Sequence, residues 1–200
     1  GEVFHIALSD PTGLALAEQL EHLVIARDGF KPLSGLGISA NNLVVTVAGG
    51  SAYFGATVKE LEATVSDVDG ISFFTNNAGT YEFSSQSLAN NSQYNGPAGL
   101  VALGHNRFNV NWFWRGVESQ KHTYSLLSTQ QYHSLSEAQN SLPPTPPQYV
   151  TEHAVFLGGI VYLNGATEAA GYISSTVNGG GVAVSIHNNL GGTQGGLPDE

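Results

Sequence analysis

Histidine is the first residue type that could carry chemistry in this chain, because its imidazole binds metals and transfers protons near neutral pH. Two histidines form a metal pair when they lie three or four residues apart on a helix, or two apart on a strand. No two of the seven histidines have such a spacing; they are His5, His22, His105, His122, His133, His153 and His187. Cysteine is absent, which excludes zinc fingers, iron–sulfur clusters and thiol nucleophiles. The sequence therefore predicts neither a metal site nor a cofactor.

Carboxylates are the second candidates, because a pair of carboxyl groups can hydrolyse a glycosidic bond. The carboxylates that could supply such a pair are Glu60, Glu62, Asp67, Asp69 and Glu118. Residues two apart share one face of a strand, and we interpret these pairs as solvated strand edges. Segment 67–70 lacks the remaining ligands of a calcium loop. Ser51 lacks the Gly-x-Ser-x-Gly pattern of a hydrolase nucleophile, so we assign it to a turn. These patterns do not predict an enzyme.

Both tryptophans of the chain lie in one predicted strand, residues 108–115. One face of this strand carries Phe108, Val110, Trp112 and Trp114, and the other carries Asn109, Asn111, Phe113 and Arg115. This alternation is typical of a half-buried strand. It leaves two interpretations of the aromatic residues. They form a core layer around Phe108, Trp112 and Trp114, or they join Tyr94, Tyr124, Tyr132 and Tyr149 in a sugar-stacking platform.

We favour the core layer, because two tryptophans spaced two apart on one strand face are more often core than binding site. Phe113 lies on the opposite face of the same strand. It therefore needs its own cover, and we expect a subunit interface to provide it.

The composition limits the class of protein. Charged residues make up 11% of the chain, compared with about 25% in an average soluble domain. Hydrophobic residues make up 41%, which is enough for a core and argues against disorder. The net charge of −10, with only six lysines and arginines, argues against nucleic acid as a partner. No apolar run reaches about 18 residues, so membrane insertion is not predicted.

Short alternating segments separated by Gly and Asn predict a mainly β fold, an antiparallel sandwich-like domain with one or two short helices. Segments 43–47 and 51–58 predict one hairpin, and a second joins 71–74 to 81–83. Further strands are predicted at residues 123–127, 154–163, 172–177 and 182–186. Residues 84–104 are predicted to be a long polar loop. We favour a surface loop without a binding role over a binding loop.

Two helices are predicted from their patterns. Residues 14–25 repeat apolar side chains at intervals of three and four. The second helix starts at Ser134, where Glu137 completes a capping box, and it ends before the prolines of segment 143–147.

We predict a connector at residues 1–40, a β-sandwich-like domain at 41–175 and an extended Gly/Asn-rich segment at 176–200 that leads to a further domain. The chain begins without Met, and we expect it to be a piece of a longer polypeptide.

Six of the ten residues of segment 187–196 are Asn or Gly, and one is leucine. Its recognisable residues are His187, Asn188, Leu190, Gly192, Gln194, Gly195 and Gly196. They resemble the element His-Asn-x-Leu-x-Gly-Leu-Gln-Gly-Gly, which is common in tailed-bacteriophage fibre and appendage proteins. Thr193 stands where that family usually carries Leu. Segments 94–100, 132–138 and 157–163 are similar to a β-domain that often precedes the element.

The resemblance implies a structural component of the virion without catalytic residues, typically a parallel homotrimer on the tail, baseplate, neck or capsid. Its expected partners are other copies of the chain, other virion proteins and a glycan or protein of the host surface. Its expected location is the virion, assembled in the host cytoplasm. We expect segments 14–25 and 187–196 to lie near the symmetry axis. Segment 187–196 has too little apolar surface to fold alone, which agrees with an intertwined fibre.

Two other classes of protein remain open. A secreted carbohydrate-binding β-sandwich module would be a monomer with an exposed row of aromatic side chains. A fragment of a polysaccharide depolymerase would need a carboxylate pair, which the sequence does not reveal. The virion appendage is the function that we predict.

Overall fold

The computed structural model describes residues 30–54, 57–117 and 121–175. Within these ranges the chain is mainly β, with several antiparallel sheets, as the sequence predicted. It has three short helices, whereas the sequence predicted one or two. The strands are β1 Lys31–Gly35, β2 Ile38–Asn41, β3 Val44–Val47, β4 Gly50–Phe54, β5 Thr57–Leu61, β6 Thr64–Val65, β7 Ile71–Asn77, β8 Thr80–Gln86, β9 Gln93–Gly96, β10 Gly99–Ala102, β11 Phe108–Gly116, β12 Thr123–Leu127, β13 Ala154–Leu163 and β14 Gly171–Ser174. The helices are α1 Ser66–Asp69, α2 Leu135–Gln139 and α3 Gln148–His153.

A six-stranded sheet organises the fold, with strand order β14-β13-β11-β12-β7-β8. Its neighbours are antiparallel except β12 and β7, which pair in parallel. Two three-stranded sheets accompany it, β1-β4-β5 and β2-β3-β6, and β9 forms a small hairpin with β10. Strands β1 and β2 both contact β13, which places this N-terminal part of the domain against the six-stranded sheet.

The first predicted hairpin is wrong. Strand β3 pairs with β2 and β6, whereas β4 pairs with β1 and β5, so segments 43–47 and 51–58 belong to two different sheets. Segment 51–58 is itself divided into β4 and β5, which pair with each other. The second predicted hairpin is confirmed, because β7 pairs with β8 from Ile71 opposite Gln86 to Asn77 opposite Thr80. Pairing between β2 and β3 also crosses residue 40, where we placed the end of the connector.

One face of β11 carries the tryptophan layer. Trp112 is fully buried and Trp114 is 5% exposed, while Phe108 is partly buried and packs against the same cluster. The cluster also takes side chains from β12, β13 and both later helices, among them Tyr124, Leu126, Ala138, Val150 and Val161. The short helices α2 and α3 thus cover this face of the sheet, because both contact β11 and β13.

The opposite face of β11 is buried as well. Phe113 is fully buried in a second cluster with Val45, Val47, Leu61 and other residues of the N-terminal strands. The expected subunit interface over Phe113 is therefore wrong, because the same chain supplies the cover. Strand β11 is not half-buried as the alternation suggested; its residues from Asn109 to Gly116 are buried on both faces.

The capping box forms much as predicted. Ser134 Oγ accepts a hydrogen bond of 3.1 Å from the Glu137 N–H. The Glu137 carboxylate reaches back to the N–H of His133, one residue before the cap, at 2.9 Å. Helix α2 ends at Gln139, before the prolines, and α3 begins directly after them. Neither α1 nor α3 was predicted.

Several predicted segments lie outside the described residues. They are the helix at 14–25, the strand at 182–186 and the element at 187–196, which includes His187, Asn188, Leu190, Gly192, Gln194, Gly195 and Gly196.

Candidate functional site

Within the described part of the chain, the His, Asp and Glu side chains that could have carried chemistry do not form a metal site. Among the described residues, no group of three or more His, Asp or Glu side chains could hold a metal ion. His122 stacks on Tyr124 with ring centroids 6.0 Å apart, and His153 lies 4.7 Å from the ring of Tyr149. These two histidines thus extend an aromatic cluster on the helix-covered side of the sheet.

The paired carboxylates are solvent-exposed, as the sequence predicted. Glu62 pairs with Lys121 at 3.1 Å, and the Asp69 carboxylate accepts the N–H of Val65 at 2.8 Å. Asp67 and Asp69 lie on the helical turn α1 rather than on a strand, so their side chains do not share a face. Glu118 lies outside the described residues. The four described carboxylates of this group therefore do not form a pair across a cleft.

Ser51 differs from its prediction. It lies within β4 rather than in a turn, and its buried hydroxyl is 2.8 Å from the Ser34 hydroxyl. The two hydroxyls join β1 to β4 across the register shift between Pro32 and Ser34. This contact gives Ser51 a structural role.

Arg115 is a buried cation with structural partners. One guanidinium nitrogen donates to the carbonyl oxygens of Gly116 and His122, each at 3.0 Å, and the other to that of Glu62 at 3.4 Å. Burial lowers the pKa of Arg115, and the nearby acidic groups, led by Asp69, oppose this shift. The side chain links the end of β11 to the loop after β5.

An asparagine cluster on β11 was missed by the sequence analysis. Asn111 accepts the Asn90 N–H at 2.9 Å and donates to the Asn90 carbonyl at 2.7 Å. Asn109 donates to the same carbonyl at 2.8 Å and to that of Gln93 at 2.7 Å. The predicted long loop at 84–104 is therefore fixed to the sheet. It also contains the β9–β10 hairpin and the end of β8, so only its central residues are loop.

Replacing Asn111 with alanine is expected to lower the free energy of unfolding by about 1–3 kcal/mol, because the Asn90 N–H loses its buried partner. Urea unfolding followed by tryptophan fluorescence measures this change. The control is Asn140→Ala at the exposed end of α2, where we expect a change within about 0.5 kcal/mol. Equal losses in the two variants would contradict the role of the cluster.

A row of apolar side chains, three of them aromatic, extends from the core to the edge of the six-stranded sheet. It consists of residues that lie opposite one another on successive strands: Trp112, Leu126, Phe74 and Phe83. Exposure rises along this row from 0% at Trp112 to 65% at Phe83. Phe74 lies 5.7 Å from Phe83 and 6.0 Å from Tyr124.

The sugar-stacking platform drawn from the sequence does not form, because Trp112, Phe113, Trp114, Tyr124 and Tyr132 are buried. Tyr94 is partly buried, and Tyr149 is 46% exposed. Phe83, which the sequence analysis did not single out, and Tyr149 are the exposed ends of the aromatic cluster.

A groove of about 520 Å³ lies between β1 and β14. Its apolar lining comes from Pro32, Leu33, Leu36, Ile38, Leu157 and Ile173. Tyr172 also lines it, and its hydroxyl accepts the N–H of Ala40 at 3.2 Å. Residues near both ends of the described chain, Pro32 and Ser175, border the same groove. Residues close to both ends of the described chain therefore lie on the same side of the domain.

The chain matches no protein-family model, no curated protein and no solved structure. In the described ranges, no helix is long and apolar enough to cross a membrane, and α3 is the longest with six residues.

Proposed function

We propose that this chain is a structural component of a bacteriophage virion appendage, where three copies assemble in parallel. The observation that supports this proposal is that Pro32 and Ser175, near the two ends of the described chain, border the same β1–β14 groove. In the proposed trimer, the segments before residue 30 and after residue 175 would run together along the three-fold axis. The β domain would project from that axis. His187, Leu190 and Gln194 of the fibre-like element would then lie beside that axis.

Exposed apolar side chains of the β1-β4-β5 sheet support assembly. Tyr53 lies opposite Val58 on the neighbouring strand, and Leu33 lies at the register shift of β1. Their exposures are 43% for Tyr53, 47% for Val58 and 45% for Leu33. Large apolar side chains clustered on a surface are typical of protein–protein contacts. The partners we propose are neighbouring copies and other virion proteins.

Light scattering after size exclusion tests the assembly. We expect a mass near three times that of the 21.0 kDa chain. Deleting residues 187–196 should lower the mass towards that of one chain, because the deletion removes the packing between chains along the axis. The control replaces the same ten residues with a Gly/Ser segment of equal length, which should behave as the deletion does. A deletion variant with unchanged mass and unchanged melting would contradict the role of the element.

A carbohydrate-binding module is the second candidate, and the exposed aromatic rings of Phe83 and Tyr149 are the observation that favours it. This module would remain a monomer at all concentrations. A monomeric mass together with glycan binding that is lost in Phe83→Ala would favour this function over the virion component.

A further inference from the structure

Strand β8 is an open edge of the six-stranded sheet, and it is unlike the other edges of the described sheets. Open edges invite pairing with other chains, and proteins blunt them with charge, proline, bulges or short length. Strand β1 carries Lys31, Pro32 and a register shift, and β5 carries Lys59 and Glu60. Strands β2, β6, β9, β10 and β14 have four residues or fewer.

None of these devices protects β8. It has seven residues, Thr80-Tyr-Glu-Phe-Ser-Ser-Gln86, without lysine, arginine or proline. Its register with β7 is continuous, so no bulge interrupts it. Glu82 is its one charged residue, and its side chain is held by Asn77 at 3.1 Å. The edge is long, regular and nearly uncharged, which favours the addition of another strand.

The turn before β8 shows which backbone groups face outward. Ala78 and Gly79 form a two-residue loop with φ angles of 50° and 90°, typical of a type I′ turn. In such a hairpin the closing pair, Asn77 and Thr80, is hydrogen-bonded, and the next pairs alternate. The N–H and C=O groups of Tyr81, Phe83 and Ser85 therefore point away from β7, towards the open edge.

We propose that β8 pairs with β8 of a second copy of this chain, antiparallel about a two-fold axis that passes beside Phe83. In this register Phe83 faces Phe83 of the second copy, and Tyr81 faces Ser85. The outward groups of these residues would form about six main-chain hydrogen bonds. Both partners offer the same surface, as a two-fold interface requires.

The strand is complementary to itself in this register. On the face opposite Phe83, Thr80 meets Gln86 and Glu82 meets Ser84, so the two Glu82 carboxylates are never opposed. On the aromatic face, Phe83 gains a cover for its 65% exposed ring. Phe74, 5.7 Å away, extends the contact to a cluster of four rings across the axis. These features favour a second copy over an unrelated strand.

This contact is separate from the proposed axis. Strands β8 and β14 are the two opposite edges of the six-stranded sheet, about 24 Å apart at ordinary strand spacing. The groove that Pro32 and Ser175 border lies beside β14. Pairing through β8 would therefore link two monomers or two trimers, and it does not rest on the assembly proposed above.

Single-cysteine variants of the full chain test the pairing, because the natural sequence contains no cysteine. In Phe83→Cys, the two cysteines would be directly opposite, with Cα atoms about 5.5 Å apart, within disulfide range. In Ser85→Cys, on the same edge and face, the two Cα atoms would be about 14 Å apart. With oxidised glutathione we expect covalent dimers from Phe83→Cys at least about tenfold faster than from Ser85→Cys. Equal rates, or no dimer from Phe83→Cys, would overturn the proposal.

Light scattering over a range of concentrations gives a second measurement. The mass of the natural chain should double as concentration rises, and Ser85→Pro should abolish the doubling because proline removes an outward N–H. The matched control is Val68→Pro at the 81% exposed position of α1, which leaves the edge intact. A mass that stays at one or three chains at every concentration would overturn the proposal. Deleting residues 187–196 should leave cross-linking through Phe83→Cys unchanged, which separates this contact from the trimer.

Discussion

Replacing Trp112 with alanine is expected to lower the free energy of unfolding by about 3–5 kcal/mol, the usual range for a buried tryptophan. The indole is fully buried between Trp114, Val110 and the residues of β13 that cover it. Its ring lies 6.0 Å from that of Phe156, and two atoms of the indole lie close to Gly159. Since its neighbours on both sides belong to paired strands, we expect the cavity to close only in part. A domain with about 5–15 kcal/mol of stability would lose a large part of it.

Urea unfolding measures this loss, and Trp114 remains as the fluorescent probe. The control is Trp112→Phe, which keeps most of the apolar volume. It also removes an indole N–H that is buried without a hydrogen-bond partner among the described residues. We therefore expect Trp112→Phe to cost clearly less than Trp112→Ala. A loss below about 1 kcal/mol for Trp112→Ala would contradict the position of this side chain at the centre of the core.

Replacing Gly158 with alanine is expected to lower the free energy of unfolding by about 2–5 kcal/mol, from backbone strain together with overpacking. Gly158 has a φ of 125°, a conformation that L side chains rarely adopt. A Cβ atom there would lie 2.1 Å from the carbonyl oxygen of Ile173, which is backbone and cannot rotate away. Strand β14 would have to move from β13. We therefore expect the pairing between Gly158 and Ser174 to be disrupted before the rest of the sheet.

Thermal unfolding gives the size of this effect, and hydrogen exchange of the β14 amides gives its location. Gly37→Ala is the matched control, because a Cβ at Gly37 meets nothing within 4 Å and its φ is not in the left-handed region. We expect that variant to change stability by less than about 0.5 kcal/mol. Equal effects of the two substitutions would argue against the close approach of β13 and β14 at this point.

Local patterns predicted much of the secondary structure. The alternation along 108–115 identified β11 and the two faces of its side chains, because successive strand residues always point in opposite directions. Ser134 and Glu137 marked the start of α2, since a capping box depends on residues within one turn. Gly79, in a short turn between two alternating segments, marked the β7–β8 hairpin. Each signal is carried by residues that are close in sequence.

Pairing between distant segments was not predictable in this way. The sequence joined β3 to the segment after it, whereas β3 pairs with β2 and β6. It also gave no sign of the parallel pair between β7 and β12, whose partners Phe73 and Ser125 are far apart in the chain. Parallel neighbours require a long connection, and no local pattern specifies which strands it brings together.

Composition and periodicity determined by themselves that this protein is mainly β, has few charged residues and lacks the histidine spacing of a metal pair. They also determined which side chains of β11 share a face. Only the tertiary structure decided what covers each face. It buries Phe113 under strands of the same chain, fixes the 87–92 loop to Asn111, and leaves Phe83 exposed at an unprotected edge. Burial depends on contacts between segments distant in sequence, and alternation is the same whether a face meets solvent, its own chain or another copy.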